Sequence, residues 1–152
     1  MVNEKSIGKK VWVLNENTNG NFVINKNKVF TIVAIKPYNE VDDFCNHIVV
    51  KAEDGEEKEL REYHAVFIPN DALQGDEQIS QFLNDNACYH DGVYTNTEGS
   101  TRVEIFWGDW KHSFIWLDTL MSYLGYDFDN EEVTEENGSD CYSAIHYFHK
   151  VA

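Results

Sequence analysis

Positive charge is nearly missing from the second half of this chain. Residues 71–152 carry 16 acidic side chains against only Arg102, Lys111 and Lys150, a net charge of −13. Residues 1–70 carry 11 acidic and 9 basic side chains, net −2, and the two halves sum to −15. Such a field repels nucleic-acid phosphate and anionic membrane. It therefore argues against direct nucleic-acid binding and favours a basic protein as partner, with association weakened by salt. Long hydrophobic runs are missing too. The opening "MVNEKSIGKK" lacks the apolar core of a signal peptide, and no window reaches the length of a membrane span. The expectation is a cytoplasmic protein without membrane contact. Cysteine is sparse: Cys45, Cys88 and Cys141 are odd in number and irregular in spacing. That pattern speaks against a disulfide framework and for free, mostly buried thiols in a reducing compartment. The sequon Asn137-Gly138-Ser139 has no meaning without secretion.

The usual signatures of chemistry are also missing. There is no Walker loop, no Gly-x-Gly-x-x-Gly fingerprint, no Gly-x-Ser-x-Gly elbow and no cysteine-protease signature. Cys45-Asn-His47 and Cys88-Tyr-His90 could together supply a Cys₂His₂ set, but their spacing is not that of structural zinc sites. Small thiols beside unrelated histidines are the better reading. His146 and His149, three apart in an expected strand, point to opposite faces. The acidic run 127–140 fails as an EF-hand, because the position that needs glycine for the sharp turn holds Glu132. No metal and no cofactor is expected, no catalytic residue is assigned, and the reading leans away from an enzyme.

What the chain does contain is enough apolar material for a packed interior, 42% hydrophobic with 14% aromatic. "KVWVLN" (10–15), "KVFTIVAIKPY" (28–38), "HIVVKA" (47–52), "EEKELRE" (56–62) and "HAVFI" (64–68) read as five short strands. A polar loop follows the first, and Asp54-Gly55 forms a hairpin turn between the third and fourth. In strand number and spacing this half resembles an SH3-like barrel. "PNDALQGDEQ" (69–78) reads as a linker.

The second half then predicts helix, two strands, helix, two strands. Asp76 is placed to cap a helix carrying Ile79, Phe82 and Leu83 on one face. Residues 92–96 and 101–107 pair around Glu98-Gly99-Ser100. A helix over 110–124 presents Phe114, Leu117, Leu120, Met121 and Leu124, and Gly125 ends it. A last hairpin turns at Asn137-Gly138. The fold class expected is α+β: an SH3-like small β-barrel over 1–70, then over 71–152 an acidic domain whose antiparallel sheet has two helices on one face.

Three candidate sites follow. Glu131, Glu132, Glu135 and Glu136 crowd one strand of the last hairpin, where like charges repel unless a basic partner or a protected edge compensates. Asp109, Trp110, Lys111 and His112 occupy a strand-to-helix junction at which a carboxylate, an indole, an ammonium and an imidazole could grip a small ligand, with His90 or His146 nearby. Capping of the helix by Asp109 and burial of Trp107 and Trp116 are the simpler accounts of their neighbours. Trp12 and Tyr38 could form an aromatic platform for a proline-rich peptide. The leading expectation is an acidic interaction protein occupying a basic, nucleic-acid-binding host protein. In its sharpest form the acidic half imitates nucleic-acid charge, as a phage or mobile-element inhibitor would; abundant asparagine, which AT-rich coding favours, bears only on source and suits a bacteriophage or an AT-rich bacterium. The alternative is a small-ligand binder or hydrolase at the 109–112 junction. Oligomeric state is not readable from the chain.

Overall fold

The computed structural model describes residues 2–16, 22–37, 45–96, 98–109, 112–136 and 141–151, without the side chains of residues 16, 22, 107–109, 112 and 141. The chain divides into two compact units, Met1–Ile68 and Pro69–Ala152. The fold is α+β.

The first unit is a curled antiparallel sheet of six strands: β1 (Lys10–Glu16), β2 (Phe22–Ile24), β3 (Phe30–Lys36), β4 (His47–Ala52), β5 (Glu57–Arg61) and β6 (Ala65–Phe67). The order is β2-β1-β3-β4-β5, and β6 returns to pair with β1. Alternation in β1, β3 and β4 directs Val11, Val13, Phe30, Ile32, Ile48 and Val50 into one cluster, closed by Val2, Ala52 and Ala65. Trp12 and Leu14 have the opposite parity and are buried as well. Trp12, at 8% exposure, is therefore no open platform for a peptide, and Tyr38 lies outside the described residues. The hairpin at Asp54-Gly55 is a three-residue loop: the N–H of Gly55 donates to the carbonyl of Ala52, and Gly55 adopts φ 91°. A type I turn closed by a left-handed glycine is a recurrent hairpin solution. β2 arises within the stretch expected to be loop; three residues are too few for periodicity to show.

The second unit runs α1 (Gly75–Asp85), β7 (Gly92–Thr95), β8 (Ser100–Asp109), α2 (His112–Tyr123), β9 (Tyr126–Glu136) and β10 (Cys141–Lys150). Its sheet has the order β7-β8-β10-β9 and is antiparallel throughout, so β10 lies between β8 and β9, and β9 is an edge. Ile79, Phe82 and Leu83 of α1 and Phe114, Leu117, Leu120 and Met121 of α2 are at most 3% exposed. Val93, Val103, Ile105, Ala144 and Phe148 of the sheet are buried as well. Burial of each large side chain contributes about 2 kcal/mol. Gly125, two residues beyond the last of α2, takes φ 88° and ends it as the sequence implies.

Asp76 does not cap α1. The N-cap is Gln74, which makes no side-chain cap bond, and Asp76 lies in the first turn, where its carboxylate accepts the backbone N–H of Thr95 at 2.7 Å and the Thr95 hydroxyl. The helix begins two residues earlier than a cap at Asp76 requires: Gly75, not Glu77, is its first residue.

Candidate functional site

β9 carries Asp127, Asp129, Glu131, Glu132, Glu135 and Glu136 and no basic residue, and every residue after Tyr126 is exposed. Pairing with β10 divides these side chains between the two faces. His146 stands opposite Glu131 and Ile145 opposite Glu132, so neighbouring glutamates point to opposite sides. The four glutamates are consequently not equivalent. Glu132 accepts the Tyr147 hydroxyl at 2.7 Å, which raises the Tyr147 pKa. Glu131 accepts the Tyr142 hydroxyl at 3.0 Å and a ring N–H of His146 at 2.6 Å. Glu135 and Glu136 stand opposite Ser143 and Tyr142 at the far end of the strand.

His146 is the centre of the arrangement. Its ring is 3% exposed; Nε2 faces Glu131 at 2.6 Å and Nδ1 faces Asp118 of α2 at 2.7 Å. Ionised carboxylates only accept, so satisfying both requires a proton on each ring nitrogen, which is the imidazolium. Burial by itself favours the neutral ring, but the hydrogen bonds and charges of Asp118 and Glu131 outweigh it and raise the pKa of His146. Phe114 and Phe128 lie against the ring at centroid distances of 4.7 and 4.9 Å. Tyr142 stacks on Phe114 at 4.7 Å, and burial, followed by its bond to Glu131, pushes its phenol pKa upward. With both nitrogens engaged, His146 has no lone pair to offer a metal or a substrate. It is a cation joining α2 to the edge strand across β10.

Asp118 is the residue that sequence reasoning missed here, although a signal exists. Phe114, Leu117, Asp118 and Met121 have the i, i+3, i+4, i+7 spacing of a buried stripe, so a carboxylate sits where an apolar residue belongs. Such a group needs a partner. The pairing with Glu131 is less legible. A two-residue turn at Asn137-Gly138 would set Glu136 opposite Ser139, whereas Glu136 pairs with Tyr142 and bulges shift the register further along. The turn residues lie outside the described ones.

At the 109–112 junction β8 ends at Asp109 and α2 begins at His112; Trp110, Lys111 and the side chains of Asp109 and His112 lie outside the described residues. Trp107 and Cys141 share that position as side chains. Trp116 is half-buried and its indole N–H donates to the carbonyl of Asn86 at 2.7 Å.

Cys88 and His90 do not form a thiol–imidazole pair. Cys88 is 3% exposed, and burial, with the negative charge of Asp118 adding, pushes its thiol up to about 12. His90 instead meets Ser80, with Oγ to Nε2 at 2.8 Å, while Nδ1 faces the carbonyl of Cys88 at 3.0 Å. Among the described residues, no three His, Cys, Asp or Glu side chains converge as a metal site would require. Nor, among them, is any helix long and apolar enough to cross a membrane. Compared with family models, curated proteins and solved structures, the chain matches none of them.

Proposed function

We propose that this chain is an acidic interaction protein whose edge strand β9 receives a basic protein. The observation that carries this reading is an 11-residue edge strand, exposed after its first residue, with six carboxylates and no cation. The unpaired side of an edge strand holds backbone donors and acceptors open to another chain. Its like charges repel a second copy of the same strand and attract Lys and Arg. Phe128 and Val133, 46% and 43% exposed, add apolar contact between the carboxylates. The net −13 of residues 71–152 extends the attraction beyond the strand. A partner whose own surface binds nucleic acid suits this charge, as a phage or mobile-element inhibitor acting as a charge mimic would exploit. The first unit, with β6 returning to β1, fits a small SH3-like barrel.

Affinity capture from a nucleic-acid-depleted bacterial lysate, with bound proteins identified by mass spectrometry, tests the reading. A basic protein should be retained at low salt and released at high salt. The triple variant E132Q/E135Q/E136Q should retain about tenfold less, since three lost charge contacts at about 0.5 kcal/mol each sum to about 1.5 kcal/mol. Glu131 is left intact because its carboxylate belongs to the His146 arrangement. Equal retention by the triple variant would remove β9 as the binding surface.

A further inference from the structure

Ser80 lies on the side of α1 that carries Asp76, Glu77 and Asn84, at the i−4, i−3 and i+4 positions. Together with Leu73, Gln81 and Val93 these residues line an open cleft of about 490 Å³ between α1 and β7. That volume falls within the range of small-ligand pockets. Behind Ser80 stands His90, held by a turn of specific construction. After α1 the chain makes a Schellman-type reversal, in which the N–H of Cys88 donates to the carbonyl of Leu83 at 2.8 Å and that of Ala87 to Asn84 at 3.2 Å. Ala87 adopts φ 58°, a left-handed conformation that costs a residue with a Cβ about 1–2 kcal/mol. The reversal buries Cys88 and brings His90 back over the helix, opposite Ser80.

The hydrogen bonds determine the state of the ring. The carbonyl of Cys88 can only accept, so Nδ1 carries the proton in its 3.0 Å contact. In the neutral ring Nε2 then has the lone pair and accepts the Ser80 hydroxyl at 2.8 Å. A hydroxyl, a base within hydrogen-bond reach and a third group orienting that base are the three parts of an activated serine nucleophile. Here the orienting group is a backbone carbonyl.

We propose that Ser80 and His90 are the nucleophile and base of an ester-hydrolysing site in this cleft, acting on small carboxylic esters that carry a positive charge. Ser80 Oγ attacks the ester carbonyl as its proton passes to Nε2 of His90. The tetrahedral adduct collapses with cleavage of the bond to the leaving alcohol, which takes that proton. Water then attacks the acyl-serine, giving a proton to Nε2; the carboxylic acid leaves and the proton returns to Ser80. Asn84 lines the cleft one helical turn from Ser80, and its side-chain amide is the donor we assign to the developing oxyanion, since Gln81 donates its own amide to Asp85 at 2.7 Å. Asp76 and Glu77 on the cleft wall favour a cationic substrate, and Leu73 and Val93 supply apolar contact.

The test treats the full chain with a biotinylated fluorophosphonate and maps the adduct by peptide mass spectrometry. The adduct is expected on Ser80, absent in S80A and formed about 100-fold more slowly in H90A, the lower end of what a general base contributes. Free imidazole should restore labelling to H90A, which a purely structural loss would not allow, with circular dichroism verifying that each variant is folded. In turnover assays, acetylcholine should be cleaved faster than its uncharged carbon isostere. An unmodified Ser80 in folded wild-type protein, while a control serine hydrolase is fully labelled, overturns the proposal. So does labelling of Ser80 at the same rate in H90A.

Discussion

His146 makes its charge part of the fold. Removing the ring leaves Asp118 and Glu131, each about one-third exposed, facing each other without the cation between them. H146A should lose about 3 kcal/mol, the lower end for breaking a buried ion arrangement, because the carboxylates keep some water. The sign of the pH dependence follows from the raised pKa. The unfolded ring titrates near 6.5, so the stabilisation is complete below that pH and is lost as pH rises through the higher folded value. The stability gap between wild type and H146A in urea should therefore narrow in alkaline solution to what the lost ring packing costs, and a gap that widened with pH would contradict the imidazolium. Cys88 makes a second residue-scale prediction. With 3% exposure and a thiol pKa of about 12, it should resist iodoacetamide in the folded protein at neutral pH and react on unfolding. Rapid alkylation under native conditions would show that the α1 end opens readily.

At the scale of elements, the ends of the two helices contrast. α2 finishes on Gly125 at φ 88°, with the N–H of Gly125 donating to the carbonyl of Ser122 at 3.0 Å; α1 finishes on Ala87 at φ 58° in the same kind of turn. G125A should destabilise by about 1–2 kcal/mol, and A87G should stabilise by about 0.5–1 kcal/mol, since only glycine adopts this conformation without Cβ strain. Opposite shifts in thermal midpoint are the expected result; a destabilising A87G would mean that the methyl makes contacts worth more than the strain. The same contrast shows what was legible. Gly125 was readable as a helix end because glycine advertises a left-handed residue, whereas Ala87 is invisible in sequence because its conformation goes with the burial of its neighbours Asn86 and Cys88, a tertiary event. Ile79, Phe82 and Leu83 were readable by spacing, and all three are buried. Ser80 and His90, ten residues apart and joined by that reversal, were not.

For the whole molecule, charge is the governing property. A net charge of −15 on 152 residues stores repulsion that dissolved ions screen, with a Debye length of about 30 Å at 0.01 M and about 8 Å at 0.15 M. Raising salt over that range should raise the thermal midpoint of the protein even as it weakens capture of the basic partner proposed above. A midpoint that falls with salt would mean that the ion pairs of Lys28 with Asp54 and Glu56, and of His146, outweigh the repulsion.

The sequence by itself determined the α+β class, the periodic burial of both helices and the concentration of negative charge after residue 70. These depend on local periodicity and on composition, which a linear chain displays directly. Tertiary structure decided which acidic residues became partners. Bulges in the β9–β10 ladder set Glu131 opposite His146, helix packing brought Asp118 to the other ring nitrogen, and a left-handed alanine turned His90 toward Ser80. The first depends on strand register, and a slip of one residue would send Glu131 to the other face; the other two depend on how α2 packs and on how the chain reverses after α1, neither of which local periodicity records.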